Sequence, residues 1–201
     1  RQAGQWLRAG LQRRRYAGSG DRAAVGDLFW KIQRGRARLR WHLASIDASA
    51  SPRNITLAAL VLIEQKSAVL SQLFSAEIAH APAPLDDSEA VLVATLEACD
   101  FNDPDMPEHI ALEWPAWLMA DAKAGLGDGL ARELAALITE APTDLRINPL
   151  KQPDRRRLRD QLAGRGIKGH PTRLSPLGVR LERRTRLEDL QEWKAGLFDV
   201  Q

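Results

Sequence analysis

The spacing of apolar residues changes character at Pro142, and that change limits the folds open to the chain. Before it, apolar side chains recur every three or four residues, the period of a helix with one buried face. After it they alternate with polar ones, the period of a strand. The expected fold class is therefore mostly α, with an all-helical domain over residues 1–127 and a small α+β domain over 128–201. At 201 residues the chain can hold one or two domains with a real core. Its 44% hydrophobic and 27% charged residues are ordinary for a globular protein.

The helical half reads as a series of capped segments. Gln2 to Arg15 places Trp6, Leu7 and Leu11 at helical intervals and runs into Arg13–Tyr16, RRRY. The turn Ala17–Gly20 breaks it, and Asp21 is expected as the next N-cap. Val25, Leu28, Phe29 and Ile32 then mark one apolar face, and Arg34, Arg36, Arg38 and Arg40 interleave with Ala37, Leu39 and Trp41. Pro52 opens a helix expected to run through Phe74, and Asp87 or Ser88 should cap another through Cys99. An irregular acidic stretch, DFNDPDMPE, leads to EWPAWLMADAKAGLG, where Pro115 fits a first helical turn. A last helix is expected over Gly129–Thr139. The expected core is Trp6, Leu28, Phe29, Ile32, Trp41, Leu57, Leu60, Val61 and Leu92.

Beyond Pro142, Leu145 and Ile147 alternate with Arg146 and Asn148 as in a strand. DRRRLRDQLAGRG is a helix with Leu158 and Leu162 on one side. GVRLE (Gly178–Glu182) is a second strand, LEDLQEWKAG a short helical turn, and GLFDVQ a closing strand. The closing strand has nothing after it to join, and the chain opens on Arg1 without an initiator Met. Both ends predict a fragment of a longer protein.

Charge divides more sharply than the net +3 suggests. Residues 1–45 hold 11 Arg and Lys against 2 Asp and Glu; residues 46–145 hold 4 against 17; residues 146–201 hold 14 against 7. Two basic ends around an acidic middle point to an anionic polymer, most often nucleic acid. Arginine dominates the basic ends, which suits bidentate phosphate contacts. The expected RNA contacts are Arg13, Arg14, Arg15, Arg22, Arg34, Arg36, Arg38 and Arg40, with Arg155, Arg156 and Arg157 on the later helix; Arg159 shares that helix, and Arg183, Arg184 and Arg186 form a further basic cluster on a loop. A base-stacking aromatic pattern is missing, so recognition through phosphate and shape is expected.

Catalytic signatures are missing from the sequence. The glycines of GSGDR and GLGDG follow no strand, and no zinc-protease, nucleophile-elbow or spaced His/Cys pattern occurs. No metal site is expected. His42, His80, His109 and His170 lie scattered and are expected at the surface or as caps. Cys99 is the sole cysteine, which excludes an intrachain disulfide and predicts a small buried side chain in a reducing cytoplasm. The longest apolar run, Leu57–Ile63, is far short of the roughly 20 residues of a membrane span.

The motifs resemble the N-terminal region of bacterial Sun/RsmB-type RNA cytosine-C5 methyltransferases. RRRYAGSGDRAAVGDLFWKIQRGRARLRW is similar to their first helical region, and PAWLMADAKAGLG (Pro115–Gly127) to their P-x-W-L helix. APTDLRINPLK is similar to their P-x-x-L-R-x-N-x-L-K signature, at Pro142, Leu145, Arg146, Asn148, Leu150 and Lys151; Pro149 departs from the usual Thr. LSPLGVRLE and GLFDVQ follow in order. The resemblance implies a NusB-like helical domain (1–127) followed by a small RRM-like domain (128–201), both holding RNA. It also implies an S-adenosylmethionine-binding catalytic domain beyond Gln201, so no catalytic residue and no cofactor site are expected in this fragment. Arg146, Asn148 and Lys151 are carried over as motif residues with a structural or RNA role; for Arg146 and Asn148 a structural role is the favoured one.

The function expected is therefore the RNA-recognition part of an S-adenosylmethionine-dependent ribosomal RNA cytosine-C5 methyltransferase. Expected partners are RNA, by resemblance ribosomal, and the protein's own catalytic domain; no membrane is involved and the protein is expected to be a monomer. The alternative is a free-standing NusB-type RNA-binding protein in transcription or ribosome assembly, against which the α+β half argues. A helical DNA-binding regulator is disfavoured, since no helix-turn-helix stands out.

Overall fold

The structure is a computed structural model and describes residues 2–183 and 185–201. The chain divides between Thr139 and Glu140 into two compact units. The helix before Pro142 thus falls in the first unit, and the division lies later than the boundary at 127/128.

The first unit contains α1 (Ala3–Arg13), α2 (Ser19–Arg34), α3 (Arg36–Ser45), α4 (Pro52–Leu62), α5 (Leu70–Leu73), α6 (Asp87–Glu97), α7 (Glu108–Ala111), α8 (Met119–Leu126) and α9 (Leu130–Leu137). The apolar run of α4 explains its position: Leu57 to Leu62 are all buried, and α2, α3 and α6 pack around it. Leu39 and Leu43 of α3 and Leu92 and Leu96 of α6 complete the cluster. Ser51 caps α4 by accepting from the Asn54 N–H, with Pro52 in the first turn. The start of α6 is closed by Asp86, one residue before the expected cap. Its carboxylate accepts from the Glu89 N–H, and Glu89 accepts from the Asp86 N–H in return. Asp21 likewise sits inside α2, where its carboxylate accepts from the Gly18 N–H at 2.9 Å.

Several expectations for this unit are corrected. The helix from Pro52 does not reach Phe74: Gln65 takes a left-handed conformation (φ 52°), and the Lys66 N–H turns back to the Leu60 carbonyl. Trp6 is 60% exposed, because the main neighbour of α1 is α2 and neither helix buries a residue fully. Leu28 and Ile32 pack against the cluster from its margin, while Phe29 and Trp41 are half-buried. His42, expected at the surface, is 1% exposed, with Nε2 3.4 Å from the Phe101 carbonyl and its ring facing Phe101. Cys99 is half-buried past the end of α6, its thiol donating to the Thr95 carbonyl.

The second unit runs β1 (Asp144–Ile147), α10 (Arg155–Ala163), β2 (Gly169–Pro171), β3 (Gly178–Leu181), α11 (Gln191–Lys194), β4 (Phe198–Val200). The strands form one sheet in the order β2-β3-β1-β4, every pair antiparallel. Strand β2 has no sequence signal: three residues, Gly-His-Pro, carry no apolar alternation, and an edge position tolerates the proline. Leu145, Ile147, Val179, Leu181 and Phe198 point to one face, which Leu158 and Leu162 of α10 cover. Period-two alternation therefore sends Asp144, Arg146 and Arg180 to the other face.

Candidate nucleic-acid interface

The open face of the sheet is polar because of register. Asp144 pairs with Arg180, Arg146 with Gly178 and Asp199, and His170 with Arg180. Arg180 grips Asp144 through two hydrogen bonds of 2.7 Å, Nε to Oδ1 and Nη2 to Oδ2. These bonds hold the Asp144 carboxyl below its ordinary range. Arg146 is exposed, and its side chain has no hydrogen-bond or ion-pair partner among the described residues. The same holds for Arg173, on the loop between β2 and β3. A cavity of about 680 Å³ lies over this face, lined by Asp144, Arg146, His170, Arg173 and Arg180 among others. None of the positions of this face is Phe, Tyr or Trp.

The loop above the face is held in shape. The Ser175 carbonyl accepts from Gly178 N–H (3.3 Å), Thr172 Oγ1 (3.1 Å) and Arg155 Nη1 (2.9 Å). A Cβ on Gly178 would lie 2.0 Å from Thr172 Oγ1, so only glycine lets the loop close here. Arg155 is therefore committed to the loop, while Arg156 and Arg157 stand exposed on α10. Of the motif residues, Asn148 donates to the Gly196 carbonyl (3.1 Å) and accepts from the Leu150 N–H. Lys151 Nζ donates to the Ala195 carbonyl at 2.8 Å. Together they tie the exit of β1 to the turn before β4, where Gly196 has φ 67°.

In the helical unit the expected arginines divide by role. Arg13, Arg14 and Arg15 are exposed at the end of α1, with Arg14 Nη1 donating to the Gly10 carbonyl. Cations there also complement the helix dipole. Arg22 is half-buried and donates to the Ala17 and Arg14 carbonyls, closing the α1–α2 turn. Arg36 and Arg40 are exposed on α3, and Arg34 is half-buried. Arg38 is different: Nε lies 3.2 Å from Glu113 Oε1, Nη1 donates to Asn102, and the guanidinium rests 4.2 Å from the Phe101 ring centre. Arg183 and Arg186 are exposed; Arg184 lies outside the described residues.

Sequence reasoning did not single out His170, Arg173 or Arg180. The alternation of GVRLE does hold the signal for Arg180, opposite Val179 and Leu181. His170 had none, since β2 itself was not legible. No group of three or more His, Cys, Asp or Glu that could hold a metal ion occurs among the described residues, and no helix there is long and apolar enough to cross a membrane.

A family model for the ferredoxin-like domain of RsmF/RsmB-like methyltransferases matches residues 114–188. The crystal structure of PH0851 is similar in fold, with a TM-score of 0.59 at 13% identity over 96% of this chain and 47% of that one. The chain thus spans about half the length of PH0851. No curated protein matches the sequence. Residues 114–188 thus match the ferredoxin-like domain of the RsmF/RsmB-like methyltransferases, and the βαββαβ order of the second unit and the motifs from Pro115 to Lys151 agree with that match.

Proposed function

We propose that the chain is the RNA-recognition region of an S-adenosylmethionine-dependent ribosomal RNA cytosine-C5 methyltransferase. The observation that carries the reading is the uncovered, arginine-bearing sheet face inside the segment that matches the RsmF/RsmB-like domain. Arg146 and Arg173, without partners among the described residues, suit phosphate and sugar contacts; with no Phe, Tyr or Trp on that face, base stacking contributes little. Neither glycine pair of the helical unit has the strand-to-helix setting of a dinucleotide-type cofactor loop. Gly18 and Gly20 lead into α2, and Gly127 and Gly129 lie between α8 and α9, so neither pair forms a loop after a strand. Cofactor binding and cytosine chemistry are assigned to a further domain.

Fluorescence anisotropy with structured ribosomal RNA fragments between about 50 and 200 mM salt tests the reading. Affinity should fall steeply with salt, and Arg146→Ala with Arg173→Ala should weaken it for all sequences alike. A salt-insensitive affinity would sink RNA recognition. Micromolar binding of S-adenosylmethionine to these 201 residues in a calorimeter would overturn the assignment of the cofactor elsewhere.

A further inference from the structure

A second basic cavity lies in the ferredoxin-like unit, apart from the open sheet face. Its volume is about 440 Å³, and Arg165, Lys168, Arg183 and Arg186 line it with a single acid, Glu182. Two loops supply the cations: Arg165 and Lys168 come from the connection between α10 and β2, Arg183 and Arg186 from the connection between β3 and α11. The Glu182 N–H donates to the Lys168 carbonyl at 3.1 Å, and this bond sets the two loops side by side. Backbone pairing thus sets four cations around one hollow, two of which, Arg165 and Arg186, already face Glu192 and Asp189, while Lys168 and Arg183 do not.

The four cations are not equally available. Arg165 spends its Nε on the buried Glu192 carboxylate at 2.9 Å, which fixes the guanidinium and leaves its two terminal nitrogens outside that bond. Arg186 pairs with Asp189, but both side chains are over 70% exposed, so the pair is weak. Lys168 and Arg183 are exposed and have no side-chain hydrogen bond or ion pair among the described residues. One anchored guanidinium and two uncommitted cations around a polar hollow match a tetrahedral oxyanion, which accepts several charge-assisted hydrogen bonds at once.

We infer that this cavity binds a phosphate group, and that the group is a phosphodiester of the RNA strand. The inference rests on the proposed RNA reading and adds to the loop arginines Arg183 and Arg186 two cations from another loop, Arg165 and Lys168, that the sequence analysis did not single out. It sits at the end of the sheet where β3 leaves, whereas Arg146 lies near the end where β3 enters.

The test uses the 201-residue chain and the double variant Lys168→Ala/Arg183→Ala, which spares the Arg165–Glu192 pair. Binding of single-stranded RNA is measured across a salt series, with Lys123→Ala/Arg132→Ala as a charge-matched control in the helical unit. In parallel, inorganic phosphate is titrated while amide resonances of residues 165–168 are followed by NMR. Losing two phosphate contacts should flatten the log–log salt slope by about 1.4, while the control keeps the parent slope. Phosphate should shift the 165–168 amides of the parent and not those of the variant. A parent-like slope in the double variant overturns the cavity as an RNA contact while leaving RNA recognition standing. Phosphate shifts in a chain that binds no RNA would place a free phosphate here and overturn the phosphodiester assignment along with the RNA reading. No shift and no slope change would overturn the site altogether.

Discussion

Glu113 caps α3 from 75 residues away in sequence: its Oε1 accepts from both the Arg38 N–H and Arg38 Nε, and its Oε2 accepts from the Ala37 N–H. A carboxylate thereby meets the positive end of a helix that has no capping side chain of its own. Glu113 itself holds a left-handed backbone (φ 52°), so the loop is shaped around this contact. Both side chains are little exposed, at 13% and 8%.

Removing Glu113 should therefore be costly. Glu113→Ala leaves the Arg38 charge and two α3 N–H groups without their acceptor, and about 3 kcal/mol of stability should be lost in denaturant unfolding. Arg38→Ala should also destabilise the unit while leaving the salt slope of RNA binding as in the parent. A flattened slope with unchanged stability would instead make Arg38 an RNA contact.

The exposed arginines should behave in the opposite way. Arg13→Ala/Arg14→Ala/Arg15→Ala should keep the parent Tm within about a degree or two and flatten the salt slope by up to about 2. Arg156→Ala/Arg157→Ala should do the same in the second unit. Arg155→Ala is expected to perturb the β2–β3 loop, because it removes a donor from the Ser175 carbonyl. Triple and double variants that bind RNA as the parent does would mark these clusters as solvated surface.

Acid should loosen the α4–α6 contact. Arg53 donates to Glu89, and this bond holds the Glu89 carboxyl below its ordinary 4.5. A carboxyl lowered on folding adds stability that is complete above its unfolded value and lost as pH falls through its folded value. Glu89→Gln should therefore destabilise at neutral pH and flatten the loss of Tm as pH falls below the ordinary carboxyl range. An acid limb identical to the parent's would show that Glu89 contributes nothing to it.

Core substitutions should follow observed burial. Leu57→Ala in the helical unit and Leu145→Ala in the sheet unit, both 0% exposed, should each cost roughly 2–5 kcal/mol. Trp6→Ala, at 60% exposure, should cost well under 1 kcal/mol. A Trp6 loss as large as that of Leu57 would mean that α1 is packed more deeply than its exposure indicates.

The sequence by itself determined what depends on local order. Helical spacing through Leu57–Leu62, alternation in DLRI and GVRL, and the helix starts at Pro52 and next to Asp87 all act within a few residues, so local pattern reveals them. Arginine runs were equally legible as composition. Tertiary structure decided which arginines are free. Arg38 and Arg155 read like their neighbours, yet each is committed to an acceptor, Glu113 or the Ser175 carbonyl, brought near only by folding. The same holds for Trp6, whose apolar stripe has too little to bury against, and for β2, whose three residues become a strand because β3 offers its edge. The open face and the basic cavity are also tertiary products. Strand order β2-β3-β1-β4 and the Glu182–Lys168 bond assemble residues that the sequence keeps far apart, and no local pattern encodes such a meeting.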